Sequence, residues 1–326
     1  MRLLVTGGAG FIGSCFVRHM LKNHPDYKII NLDALTYAGN IENLDDVKDN
    51  PNYKFVHGNI CDKKLVGQLV HEVDTVVNFA AESHVDRSIT GPEIFIETNV
   101  QGTLNLLQQS KLANIQRFLQ VSTDEVYGTL GKTGYFYETT PIAPNSPYSA
   151  SKASADLLVR AYYETYKMPV LNTRCSNNYG PYQYPEKLIP FFISKLLRGE
   201  KVPVYGDGMN VRDWLYVYDH CSAIDTVLHK GKVGEVYNIG GHNEKTNMEI
   251  TKIILSEMGK DESSIEFVQD RLGHDRRYAI SNDKITSELG WEPSITFEEG
   301  IKLTISWYLN NQNWIKSIEA KKASLV

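Results

Sequence analysis

The sequence predicts an α/β protein: a doubly wound parallel sheet, followed by a smaller, mostly C-terminal α/β unit. Three observations carry this. Short apolar runs alternate with helical segments from the N-terminus to about residue 175, the pattern of βαβ units. Some of those runs, such as Thr75–Ala81, are nearly continuous in apolar residues, as strands covered on both faces are. A glycine-punctuated turn joins the first run to the first helix. Beyond residue 175 the alternation loosens. The chain therefore divides into residues 1–175, with about 211–241 returning to that first unit, and 176–326 for the rest.

The 326 residues suffice for one large or two ordinary domains. A formal net charge of −5 gives no general attraction for nucleic acid or an anionic membrane, so an anionic ligand needs a local basic cluster. Cys15, Cys61, Cys175 and Cys221 form no close pair, which argues against a zinc knuckle or a redox motif; no metal is expected, and the thiols are read as reduced. No signal peptide precedes the first strand and no apolar run is long enough for a bilayer. A cytoplasmic protein with no membrane or nucleic-acid partner is expected.

The first strand, Arg2-Leu3-Leu4-Val5, runs into Gly7-x-x-Gly10-x-x-Gly13 and a helix over Ser14–Lys22. Glycines there permit a tight turn, let the backbone approach a pyrophosphate and bring helix close to strand, and the helix N-terminus faces the phosphates. A purely structural glycine turn is the alternative, but the placement between strand and helix favours dinucleotide binding. The second strand, Lys28–Asp33, ends in an acid about 20 residues past the last glycine, where ribose hydroxyls are bound; a carboxylate there repels a 2′-phosphate and favours NAD over NADP. Ala34-Leu35-Thr36-Tyr37-Ala38-Gly39-Asn40 is a loop placed to cover the adenosine.

A third strand, from Tyr53 to Ile60, carries Asn59 at its end. Its amide suits an adenine edge, and ordinary surface polarity explains it nearly as well. The fourth, Thr75–Ala81, ends in Ala80 and Ala81, small enough for a cofactor to lie against the backbone. His84, in the loop that follows, reads as a catalytic candidate or, at least as well, as a histidine bonded to its neighbours. A helix runs from Thr98 to about Leu112.

The next apolar run, from Arg117 to Val121, ends in Ser122-Thr123-Asp124-Glu125. Ligands bind at such strand ends, and two carboxylates there are costly to desolvate, so they indicate a reaction or a satisfied loop. Adjacent carboxylates disfavour joint ionisation, which suits one acid and one base. Ser146 is the expected N-cap and Pro147 the first residue of a following helix. Tyr148 and Lys152, four apart, share one of its faces, and a lysine beside a phenol favours the phenolate. After a strand over Pro169–Cys175 come a helix led by Pro185–Pro190, a short strand Val202–Tyr205, a helix from Val217 and a strand Glu235–Ile239. Residues 270–278 concentrate arginines. With Lys187 and Arg212 these could grip a substrate pyrophosphate, although each alone reads as a surface charge.

The glycine pattern, Ser122–Gly128 and Tyr148-x-x-x-Lys152 resemble the extended short-chain dehydrogenases/reductases. Asp33–Asn40, Ala81–Ser88 and Gly273–Tyr278 narrow the resemblance to the dTDP-glucose 4,6-dehydratase family over nearly the whole chain. The resemblance implies a Rossmann-type first unit, a substrate-binding second unit, a tightly held NAD, a nucleotide-sugar substrate and a homodimer. It implies Tyr148 as the base at the sugar's carbon 4 hydroxyl, Lys152 as its support, Thr123 on the carbon 4 oxygen, Glu125 as the base at carbon 5 and Asp124 as the acid at carbon 6. Implied cofactor contacts are the three glycines with Phe11 and Ile12; Asp33, Ala34, Leu35 and Thr36; Asn59 and Ile60; Phe79, Ala80, Ala81, Glu82 and Ser83; Thr98 and Asn178; and the Tyr148–Lys152 pair. Implied substrate contacts are Ser83, Thr123, Asn177, Lys187 and Leu188; Pro203, Val204 and Tyr205; Arg212 and Asn247; Arg271 and His274. Two positions depart from the family pattern: Asn59 stands where Asp is usual, and Leu272 where proline is common. An epimerase or decarboxylase of the same superfamily needs no acid–base pair for water loss, and a non-catalytic NAD sensor needs no intact Tyr-Lys pair. The choice of thymidine over uridine rests on the resemblance alone.

Overall fold

The computed structural model of the chain describes residues 1–270 and 275–324. Its strands, in order, are β1 (Arg2–Thr6), β2 (Lys28–Asp33), β3 (Tyr53–His57), β4 (Thr75–Asn78), β5 (Arg117–Thr123), β6 (Val170–Cys175), β7 (Asn177–Tyr179), β8 (Val202–Tyr205), β9 (Val211–Tyr216), β10 (Val236–Ile239), β11 (Glu244–Thr246) and β12 (Ile265–Val268). Seven of them form one sheet in the order β10-β6-β5-β4-β1-β2-β3, every neighbouring pair parallel. The chain starts at β1, builds outward to β3, then returns to the other side of β1 at β4. The connections leaving β1 and β4 depart to opposite sides, so a crevice opens at the carboxyl ends between them.

Successive residues of β1 point to opposite faces. Leu3 and Val5 join Phe16, Met20 and Ile224 under the helices Phe11–Asn23 and Val217–Lys230. Leu4 joins Val76, Leu106, Phe118 and Val159 under the helices Lys63–Val70, Thr103–Leu112 and Pro147–Tyr166. Both faces of the sheet are thus buried, which is why its strands read as apolar runs. A polar ladder crosses its centre: Thr6 Oγ1 donates to Asn78 Oδ1 at 2.6 Å, and Asn78 Nδ2 donates to Gln120 Oε1 at 2.8 Å. The pairing Thr6↔Asn78↔Gln120 sets these groups side by side, so each buried dipole finds a partner.

A second core of Tyr179, Phe192, Trp214, Ile254, Phe297 and Tyr308 lies beyond the sheet. It is framed by the small sheets β11-β9-β7 and β12-β8. Those strands hold three to six residues, too few for a periodic signal, and only β8 was foreseen. The helix expected from Thr98 begins earlier, at Glu93, and passes through a π-helical stretch, Ile96–Gly102, before Thr103–Leu112. The helix Gln312–Ser324 comes back to the first βαβ unit: Trp314 Nε1 donates to Asn43 Oδ1 at 2.8 Å and Ser317 Oγ to Glu42 Oε1 at 2.7 Å. No described helix is long and apolar enough to cross a membrane.

Candidate active site

Gly7 has φ +71°, and a Cβ there would lie 2.6 Å from Ala80 N. A side chain would both strain the turn and push β1 from β4. Past this turn the helix Phe11–Asn23 begins at Gly10 with no side-chain cap. A Cβ on Gly10 would meet nothing nearer than Gly7 O at 3.3 Å, and the first turn, Gly10 to Gly13, borders a cavity. Asp33 ends β2 with its carboxylate accepting from Ala9 N at 2.9 Å and Leu35 N at 2.8 Å. Burial, its largest influence, raises its pKa, and those two N–H groups oppose the shift.

These groups line a cavity of ≈ 310 Å³ at the strand ends, with Asn59, Ile60, Phe79, Ala80, Ala81, Glu82, Ser83 and Thr98 on its far walls. Every expected cofactor residue lines it except Leu35. That side chain packs on the apolar core, while its backbone, at φ +48°, turns the chain so that its N–H reaches Asp33. Uncapped helix N–H groups for phosphate, a buried carboxylate for ribose and a wall too tight for side chains fit an NAD molecule.

Thr123 ends β5, opposite Cys175 of β6. Its hydroxyl accepts from Glu125 N at 3.3 Å, capping the 3₁₀ turn Asp124–Tyr127 and fixing the two carboxylates at the sheet's edge. Tyr127 anchors that turn from below: its hydroxyl donates to Asn238 Oδ1 at 2.8 Å and accepts from Arg174 Nη1 at 2.9 Å. Asp124 is 1% exposed, and its Oδ2 has no hydrogen-bond partner among the described residues. Burial, then the carboxylates of Glu125 and Asp213, hold its pKa well above the usual carboxylate range, against weaker opposition from Arg212 and Thr123. Asp124 therefore favours its protonated form, while the half-buried Glu125 stands beside it.

The helix Pro147–Tyr166 opens as expected, with Ser146 and Ser149 forming a reciprocal cap and Pro147 in the first turn. It brings Tyr148 and Lys152 into the cavity beside Thr123 and Glu125. The expected effect of lysine on the phenol is corrected here. Lys152 Nζ donates to Val121 O at 2.8 Å, and burial lowers its pKa. The Tyr148 phenol is pushed well above its ordinary value, first by burial, then by Glu125; a Thr123 hydrogen bond pulls the other way. Desolvation outweighs a lysine whose ammonium is committed to a carbonyl.

A second cavity of ≈ 390 Å³ shares Glu125, Asn177, Asn178, Gln183, Glu186 and Lys187 with the first. Leu188, Pro203, Val204, Tyr205, Arg212 and Asn247 line it as expected; Ser83 and Thr123 stand in the first cavity. Arg271, Leu272 and His274 lie outside the described residues. The Arg212 guanidinium is 4.5 Å from the Tyr278 ring centroid, and its Nη2 donates to Asp275 O at 2.9 Å. Lys187 Nζ donates to Ser83 O at 3.0 Å, joining the two walls. His84 accepts from Arg87 N at 3.3 Å as the cap of the short helix Val85–Thr90, in keeping with a histidine bonded to its neighbours. The sequence reading missed Gln183, Glu186, Phe191, Trp214 and Tyr278, which also line these cavities.

Two adjacent carboxylates and a Tyr–Lys pair at the mouth of a cleft that fits a dinucleotide are the arrangement of a short-chain dehydrogenase/reductase. A family model described as GDP-mannose 4,6 dehydratase matches residues 4–304. A dTDP-glucose 4,6-dehydratase of Xanthomonas campestris is 57% identical, over 97% of this chain and 95% of its own length. The dTDP-glucose 4,6-dehydratase of Bacillus anthracis, solved in complex with NAD, superposes with a TM-score of 0.92 at 57% identity over 98% of this chain and 99% of that one. DesIV of Streptomyces venezuelae, a dTDP-glucose 4,6-dehydratase solved with NAD and TYD bound, gives 0.94 at 53% identity over 96% and 98%. The chain belongs to the dTDP-glucose 4,6-dehydratase family.

Proposed function

We propose that this chain is an NAD-dependent dTDP-glucose 4,6-dehydratase, forming dTDP-4-keto-6-deoxyglucose and water for deoxysugar biosynthesis such as that of dTDP-rhamnose. The observation that carries this is the pair Asp124–Glu125 beside Tyr148, where the two cavities meet. An epimerase needs no such pair.

NAD held by the Gly7–Gly13 turn and Asp33 would supply a reversible hydride acceptor and a positive charge in a site rich in carboxylates. The nicotinamide's positive charge would oppose the burial that raises the Tyr148 pKa; Tyr148, once ionised, accepts the carbon 4 hydroxyl proton, with Thr123 hydrogen-bonded to that oxygen. Lys152, turned from Val121 O, binds the nicotinamide ribose and supports the phenolate. The new ketone acidifies carbon 5, and Glu125 takes its proton. Asp124, kept protonated by burial and its neighbours, gives its proton to the carbon 6 hydroxyl, which leaves as water. Glu125 returns a proton to carbon 5. Tyr148 ends one proton richer and Asp124 one poorer, so passing a proton between them restores the site. Arg212 and Lys187 in the second cavity bind the substrate pyrophosphate.

The same reading makes residues 1–175, with about 211–241, the cofactor unit and the remainder mainly the substrate unit. The placement of β10 in the large sheet supports it, whereas β9 pairs in a small one. It also makes the enzyme cytoplasmic and a homodimer through helices beside the sheet, where Leu104, Leu112 and Leu157 are exposed.

The test is to incubate purified protein with dTDP-glucose, without added NAD, and weigh the sugar nucleotide. Loss of one water with no net reduction is expected. An unchanged mass with a new hexose epimer would replace this reading with the epimerase. No change in NAD-containing protein, with dTDP- or UDP-sugars, would leave the sensor.

A further inference from the structure

Among the described residues, one group of three or more metal-ligating side chains converges: His24, Asp225 and His229, whose ligand atoms all lie within 4.8 Å of one another. It lies on the outside of the first helical layer, apart from both cavities. His24 follows the end of the helix Phe11–Asn23, whose opposite end opens the cofactor cleft; at 1.5 Å per residue the two ends are about 20 Å apart. Asp225 and His229 are one turn apart on the helix Val217–Lys230, so they share a face. The sequence reading weighed only cysteine pairs for metals and passed over these residues, which come together only when the two helices pack.

The geometry is that of a donor set around one carboxylate. His24 Nε2 is 2.9 Å from Asp225 Oδ2, and His229 Nδ1 is 2.8 Å from Asp225 Oδ1. His19 Nε2, from the preceding turn, is 2.8 Å from Asp225 Oδ2. His229 Nε2 meets the Tyr27 hydroxyl at 2.8 Å, an outer contact of the kind that orients a ligating imidazole, while its Nδ1 also lies 2.9 Å from Asp225 O, a backbone contact that metal binding would replace. The rings of His24, Tyr27 and His229 pack in a triangle, with the His24 centroid 4.6 Å from Tyr27 and 4.9 Å from His229 and the latter two 5.8 Å apart. The side chains of His24 and His229 are each 26% exposed, so a cation can enter from solvent and keep a water ligand.

We propose that His24, Asp225 and His229, with His19 as an available fourth ligand, bind a divalent first-row transition cation of the zinc type. Imidazole with one carboxylate selects such ions over magnesium or calcium, which prefer sites built from oxygen alone. Zinc–nitrogen bonds of about 2.0–2.1 Å in a tetrahedron set ligand atoms roughly 3.3 Å apart, so each histidine–carboxylate pair opens by a few tenths of an ångström while the full set stays within the 4.8 Å it already spans. The site clips the helix Phe11–Asn23 to the helix Val217–Lys230, and its effect falls on stability rather than turnover.

The experiment is calorimetric titration of metal-stripped, full-length protein with ZnCl2 at pH 7.5. One saturable equivalent per chain is expected, with Tm raised by about 5 °C and no competition from excess MgCl2. In the double variant H24A/H229A, affinity should fall at least tenfold and the Tm rise disappear. Absence of saturable binding, or equal binding by H24A/H229A, would overturn the proposal. Should that variant misfold, X-ray absorption at the zinc edge of the parent protein decides: a shell of nitrogen and oxygen supports the site, and sulfur in it would move the ion to Cys61 and overturn it.

Discussion

The two cavities that meet at Glu125 are built by different means. The first is made of strand ends and backbone: a glycine turn, an uncapped helix, and the small residues Ala80 and Ala81 just past β4. Its pieces are laid down by local rules, each within one strand–turn–helix unit. The second is made of side chains from loops and short elements far apart in the chain, among them Lys187, Pro203, Arg212, Asn247 and Tyr278. Under the proposed function the first takes the dinucleotide and the second the sugar nucleotide. The reacting groups stand on the boundary, so variants on either side should separate turnover from binding.

Tyr148→Phe, on the first-cavity side, should have the largest effect. Turnover falls about 10⁴-fold, the upper range for a positioned proton-transfer group, while NAD released on denaturation stays equimolar. Glu125→Gln, on the shared wall, should cut water release about 10³-fold with fold and NAD intact; water release at the parent rate would remove Glu125 as the carbon 5 base. Asp124→Asn should lower turnover about 100-fold and raise stability. A carboxyl whose folded pKa lies above its unfolded value near 3.9 costs stability as pH rises from that value through the folded pKa. The Tm gain of the amide should therefore be larger at pH 8 than at pH 4, measured by calorimetry; a gain independent of pH would show that Asp124 is ionised. Arg212→Lys, in the second cavity alone, should raise KM about 10–100-fold with kcat little changed, because a point charge replaces a planar fork. His84→Ala should cost about 1 kcal/mol of stability as a lost cap and less than tenfold in kcat; a loss like that of Tyr148→Phe would make His84 a participant.

What the sequence revealed follows the same division. Gly7, Gly10, Gly13 and Asp33 were readable because turn, phosphate and ribose contacts sit at fixed spacing in one unit. Tyr148 and Lys152 were readable from helical spacing and a Ser-Pro start, and Asp124–Glu125 from carboxylates at the end of an apolar run. Phe191 and Trp214 were not, since an aromatic residue in an amphipathic helix or a short strand reads as core, and Trp214 is also core; Tyr278 was visible only as one of the aromatics beside the arginines of residues 270–278. Leu35 was misplaced because its backbone serves the turn while its side chain serves the core. The charge state at Tyr148 was misread because spacing shows that a lysine is near but not that Val121 has taken its ammonium. Asp213 gave no signal at all, yet it is buried, accepts from Gly241 N at 2.8 Å and helps keep Asp124 protonated.

The contact between Trp314 and Asn43 spans 271 residues. During synthesis at roughly 5–20 residues per second, the loop beside the cofactor cleft waits on the order of tens of seconds for that indole. The nascent first unit thus emerges with its adenosine flank unbraced. Until the helix Gln312–Ser324 arrives, that flank rests on nearer contacts such as that of Asn43 with Ala9, so a chain truncated before Trp314 should hold the segment around Asn43 less firmly.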